Sequence, residues 1–102
     1  MSPRLDVRIA LERPASASDD LGAALGFEPA GEVWAGVEVL TAAEAGAPLD
    51  GRGLARLRLT LRQPSPAGPG WRVRLRGQAY RIAGRSARPR DPFLTLDCEE
   101  EP

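Results

Sequence analysis

Apolar and polar residues alternate one by one along six short stretches of this chain, and a period of two predicts β-strands that are half buried. The first runs from Leu5 to Glu12, with Leu5, Val7, Ile9 and Leu11 on one face and Asp6, Arg8 and Glu12 on the other; Arg13-Pro14 is expected to stop it. In the second, Val33, Ala35, Val37 and Val39 point inward, leaving Glu32, Trp34 and Glu38 outside. The third spans Leu54 to Arg62, with Leu57, Leu59 and Leu61 inside and Arg56, Arg58, Thr60 and Arg62 outside. The last, Phe93 to Cys98, places Leu94, Leu96 and Cys98 together and Phe93 on the opposite face.

The fourth and fifth strands form a hairpin within Arg72 to Ile82. A two-residue turn at Gly77-Gln78, glycine first as type II′ prefers, would set Leu75 against Tyr80 and Val73 against Ile82. Those four apolar side chains then share one buried face, and Arg74 stands opposite Arg81.

The connections are long. Residues 14–30 are rich in Ala, Ser, Asp, Gly and Pro, with an apolar patch at Leu21, Leu25 and Phe27. A connection of that length in a small domain is often a binding loop. Thr41 to Ala47 suits one helical turn, with Thr41 as cap and Glu44 three residues on. Gln63 to Gly70, with three prolines and two glycines, is a loop. Six short strands with at most one short helix predict a mainly β domain, a small barrel or sandwich, spanning 1–102, with residues 99–102 as a flexible acidic tail.

Composition removes several functions. Fourteen basic residues balance fourteen acidic ones, so no overall field draws in nucleic acid or an anionic membrane. Every basic residue is arginine, which fits a GC-rich genome. No histidine is present, so neither a histidine-based triad nor a histidine metal site is expected, and no cofactor is predicted. Cys98 falls on a buried face and reads as a structural thiol. Asp19-Asp20 and Glu99-Glu100-Glu101 lie in a loop and a tail, without the rigid placement that acid-base catalysis needs. Met1 to Asp6 has no apolar signal-peptide core and no stretch reaches membrane-spanning length, so a soluble cytoplasmic product without enzymatic activity is expected.

The outward faces suggest contact with proteins. The hairpin and third strand display Arg56, Arg58, Arg72, Arg74 and Arg81, while the first two strands display Asp6, Glu12, Glu32 and Glu38. Head-to-tail packing of identical subunits would bring such surfaces together, and an outward Trp34 has the character of an interface anchor. Asp20 and Phe27 in the first loop, and Arg85, Arg88 and Arg90 between the last two strands, are candidates for docking a partner.

Taken in order, these elements resemble the phage head-tail joining (head closure, or stopper) family over nearly the whole chain. The resemblance rests on Arg8-Ile9-Ala10-Leu11, on Asp20, Gly22 and the aromatic Phe27 (where Trp is more usual), and on Val33-Trp34-Ala35-Gly36-Val37-Glu38. It continues through Glu44, Leu57 to Arg62, then Arg72-Val73 with Gly77, Tyr80 and Ile82, and ends at Leu96-Asp97-Cys98-Glu99-Glu100. It implies a small six-stranded antiparallel β-barrel assembled as a ring of about six or about twelve copies. That ring would sit at the head-tail interface of a virion built in the bacterial cytoplasm, below the portal adaptor and above a tail terminator or tail tube. A loop between the second and third strands would enter the channel, with Thr41, Glu44, Pro48, Asp50 and Arg52 as its candidates, and would meet packaged double-stranded DNA by non-specific contact. Phage, prophage and gene transfer agent are all compatible sources. Two rival readings are a tail terminator ring and, in another class, a small nucleic-acid-binding barrel, which salt-sensitive oligonucleotide binding would reveal.

Overall fold

In a computed structural model, which describes residues 3–15, 26–40 and 55–101, the alternating stretches become strands β1 (Val7–Pro14), β2 (Phe27–Leu40), β3 (Arg56–Arg62), β4 (Arg72–Leu75), β5 (Gln78–Ala87) and β6 (Phe93–Glu100). They pair antiparallel in the order β1-β2-β3-β6-β5-β4, and β4 returns to β1 to close the barrel. Among the described residues there is no helix. The expected helical turn at Thr41 to Ala47 lies outside them.

The inward set is aliphatic. Ile9 and Leu11, Ala35, Leu57, Leu59 and Leu61, Val73 and Leu75, Ile82, and Leu94, Leu96 and Cys98 fill the interior, and Ala67 joins them from the loop after β3. Complete burial of each larger aliphatic chain contributes about 1.5–3 kcal/mol. No charged or polar side chain among the described residues is buried, so the interior makes no demand for internal hydrogen bonds beyond the backbone ladders.

Two bulges shape the wall. Leu11 faces both Ala30 and Gly31, because Ala10 pairs with Glu32 while Glu12 pairs with Pro29. On β5, Ala83 is the extra residue between the pairs Ile82–Cys98 and Gly84–Asp97. Such insertions bend a strand and increase its twist, which six short strands need in order to close.

Several boundaries differ from expectation. β1 begins at Val7 and continues through Pro14, which pairs with Phe27; at the end of its strand proline removes little from the ladder. β2 starts at Phe27, six residues before Val33, because the bulge at Gly31 carries it past what reads as a loop. β3 starts at Arg56 instead of Leu54. Val39, expected inside, is 68% exposed. β1 reaches only to Val7 opposite Ala35, so the far end of β2 is flanked by β3 alone and projects beyond the closed wall. Part of the expected acidic tail is strand: β6 includes Glu99 and Glu100, and the Glu101 N–H donates to the Ala79 carbonyl at 2.9 Å.

The hairpin turns one residue earlier than predicted. Leu75 pairs with Gln78 and Val73 with Tyr80, so the turn is Arg76-Gly77, with φ of 51° and 83°. Positive φ at both central residues marks type I′, the turn whose twist matches the strands. Shifting the turn by one moves each cross-strand partner by two, so the apolar residues keep their face. It does remove the expected opposition of Arg74 to Arg81: Arg74 faces Ala79, and Arg81 faces Arg72.

Candidate functional site

Pairing of strands decides what the outer surface offers, because it sets which charges become neighbours. β1 lies between β2 and β4, which brings Arg8 to Glu32 (3.7 Å), Arg13 to Glu28 (3.2 Å), and Glu12 to both Arg72 (2.6 Å) and Arg74 (3.2 Å). Between β3 and β6, Arg56 meets Glu99 (3.7 Å) and Arg58 meets Asp97 (3.2 Å). Arg56, Arg58, Arg72, Arg74 and Glu32, the expected subunit contacts, thus also pair within the chain, and all but Arg72 keep a large part of their side chains exposed. Glu38 on β2 and Arg81 on β5 enter no ion pair among the described residues.

The most enclosed of these groups sit where β1 meets β4. The Glu12 side chain is 17% exposed. Partial burial works against its charge, but hydrogen bonds from the Arg72 and Arg74 guanidinium groups outweigh it and hold the carboxyl below its ordinary value. Arg72 also reaches Glu101 (3.7 Å) and lies 4.2 Å from the centre of the Phe27 ring. Phe27, expected in a docking loop, is thus a β2 residue stacked on that arginine.

One end of the barrel is tied together by two side chains. Arg85 Nη1 donates to the carbonyls of Ser65 and Ala67, both at 2.6 Å. Gln63 Nε2 donates to the carbonyls of Asp91 (2.7 Å), Arg88 (3.1 Å) and Phe93 (3.2 Å). Arg85, expected in a docking loop, belongs to β5 and fastens the 63–70 loop instead. Arg88 and Arg90 remain exposed in the turn before β6, Arg90 with φ of 69°.

Trp34 points outward as alternation requires and is 52% exposed. The Arg8 guanidinium stands 5.3 Å from its ring centre, which steadies the indole without covering it. Two glycines gave strand-level signals that the alternation reading passed over, since glycine inside a strand marks a bulge or a close backbone approach. A Cβ on Gly36 would stand 2.5 Å from the Arg4 carbonyl oxygen, because the segment before β1 crosses the outer face of β2 there. Gly84, beside the β5 bulge, lines a surface groove of about 250 Å3 with Leu40 of β2, Arg56 and Arg58 of β3, and Asp97 and Glu99 of β6.

Asp20, Thr41, Glu44, Pro48, Asp50 and Arg52 lie outside the described residues. Among the described residues no group of three metal-binding side chains converges. Cys98 is inward, and burial, with Asp97 adding to it, pushes its thiol up to about 12. What the surface offers chemically is an exposed aromatic, paired and unpaired charges, and two tethered loops: the means of binding macromolecules.

A family model described as phage head completion protein matches residues 1–101. No curated protein matches. The chain is similar to a chain in the virion of a native gene transfer agent particle, with a TM-score of 0.75 and 26% identity over 99% of this chain and 98% of that one. It is also similar to a protein of Shigella flexneri 2a solved in solution, with a TM-score of 0.72 and 21% identity over 95% of this chain and 93% of the other. The second likeness concerns the fold alone.

Proposed function

The chain belongs to the phage head completion protein family, and from that premise we propose that it is a ring-forming head closure protein of a tailed phage, prophage or gene transfer agent. It joins the portal-adaptor complex of a DNA-filled head to the tail and helps retain the packaged genome. The observation that carries this reading is the family match over residues 1–101, supported by a near full-length likeness to a chain of a gene transfer agent virion. The barrel fits the role. The closed wall buries no charged or polar side chain among the described residues, and its outer surface, with the exposed Trp34 and many charges, is suited to binding proteins.

Within that role, Trp34 and Glu38 on β2, with Arg81 on β5, are contacts between subunits. The turn carrying Arg88 and Arg90 docks a neighbouring layer of the junction. The stretch Thr41 to Gly53 enters the channel, where Glu44 and Asp50 repel DNA phosphates and the glycines and Pro48 shape the loop. Deleting the gene in the particle-producing strain and imaging the products by electron microscopy tests the reading. Separate tails beside empty or leaking heads are the expected result, and filled, tailed particles would overturn it.

A further inference from the structure

At the end of the barrel where β3 and β5 finish and β6 begins, Arg62 pairs with Phe93, and its guanidinium stands 5.3 Å from that ring's centre. Between β5 and β6, the Asp91 N–H donates to the Arg88 carbonyl at 3.2 Å, closing Arg88-Pro89-Arg90-Asp91 into a turn. Proline second and φ of 69° at the third residue mark type II. That third position favours glycine, so an arginine there sets out its charge at a cost in stability. Gln63 ties the turn to the end of β3: its side chain donates to the Arg88, Asp91 and Phe93 carbonyls, and its N–H to the Pro92 carbonyl at 2.8 Å. Arg62, Arg88 and Arg90 are thus carried on one tied unit, and all three are exposed. None enters an ion pair among the described residues, whereas Arg8, Arg13, Arg56, Arg58, Arg72 and Arg74 all do. Arg85, bonded to carbonyls and to no carboxylate among the described residues, adds a fourth positive charge at this end. The one acid of the turn, Asp91, gives its Oδ1 to the Phe93 N–H at 2.9 Å.

We propose that this end of the barrel is a preformed dock for a carboxylate-rich segment of the protein layer next to it. This deepens the reading of the chain as a head-tail junction component, and rests on it, by giving the chemistry of the neighbouring layer. Charge complementarity selects the occupant. Guanidinium groups without partners of their own take carboxylates through paired N–H bonds. Their tied backbone has little freedom left to lose on binding. Duplex DNA offers a long row of phosphates instead. The platform is one turn wide, includes Asp91, and belongs to a chain with as many acids as bases, so a short cluster of carboxylates matches it better. A second copy is the poorer source of those carboxylates, because Glu12, Glu28, Glu32, Asp97, Glu99 and Glu101 already pair within their own chain.

The test uses the full-length chain in assembled particles. The sequence contains no lysine, so Ala87→Lys, at an exposed position beside Arg88, adds a single side-chain amine and leaves all three arginines in place. A carbodiimide then joins that amine to any carboxylate in contact with it. The expected product is an amide to an Asp or Glu of a different structural protein, located by mass spectrometry and missing from the unsubstituted chain. In parallel, Arg88→Ala combined with Arg90→Gly is expected to lower the yield of tailed particles roughly tenfold. Its thermal unfolding midpoint is expected not to fall, because glycine suits the positive φ. An amide to another copy of this chain, or a formaldehyde adduct of the new amine with packaged DNA in its place, would overturn the proposal. So would an unchanged yield from the double variant. No intermolecular amide in particles that keep heads joined to tails would also overturn it while leaving the head closure reading intact. That reading falls only if deletion of the gene leaves filled, tailed particles.

Discussion

Gly36 shows how a single hydrogen atom in place of a methyl group can hold a surface together. The Pro3–Asp6 segment crosses β2 at this point, and the 2.5 Å approach to the Arg4 carbonyl leaves no space for a β-carbon. The neighbour is backbone, which cannot swing away as a flexible side chain would. Gly36→Ala is therefore expected to lift the segment and cost about 1–3 kcal/mol, as over-packing generally does. Urea unfolding measures the loss, and faster proteolysis before Val7 distinguishes a lifted segment from general destabilisation. The opposite neighbour, Trp34, was legible from parity alone, because Ala35 beside it goes inside. Val39 obeys the same parity yet is exposed: alternation assigns a face, and only the partner strand's length decides whether that face is covered.

At the level of elements, alternation located all six strands, and it separated inward from outward residues in β3, β4 and β6. It could not place the hairpin turn. Moving each partner by two residues preserves every apolar contact face, so Gly77-Gln78 and Arg76-Gly77 satisfy burial equally well. Strand twist decides between them and favours two positive φ angles, even with arginine at the first. The cost of holding an L-residue there suggests its own remedy: Arg76→Asn creates the Asn-Gly pair that type I′ prefers. It is expected to stabilise the chain by about 0.5–1 kcal/mol, read as a rise in the midpoint of thermal unfolding. The tethers of Gln63 and Arg85 left no trace in the pattern, because a side chain that binds backbone carbonyls 18 to 30 residues away has no period to read.

For the whole molecule, the informative event is closure. β1 and β4 meet through only three residue pairs, Ala10–Arg74, Leu11–Val73 and Glu12–Arg72, and Glu12 bridges two arginines at that seam. Sequence suggested acidic strands and basic strands as two separate surfaces; closure interleaves them, which only the strand order reveals. Since folding lowers the Glu12 value below its ordinary 4.5, its contribution is complete above that pH and is lost as pH falls through the lower folded value. Glu12→Gln is expected to cost about 1–2 kcal/mol at neutral pH and to remove this part of the acid sensitivity. Denaturant unfolding of both proteins, repeated from neutrality down past pH 4.5, would show the two curves converging.

The two tryptophans of the chain stand in different surroundings: Trp34 is half exposed on β2, and Trp71 is packed against the core at the entry to β4. Light therefore reads them separately. A small aqueous quencher reaches the Trp34 indole first and Trp71 less, and unfolding abolishes that contrast by freeing the partly buried ring. The unlabelled protein thus carries one intrinsic fluorophore for what touches its outer wall and another for whether that wall is standing.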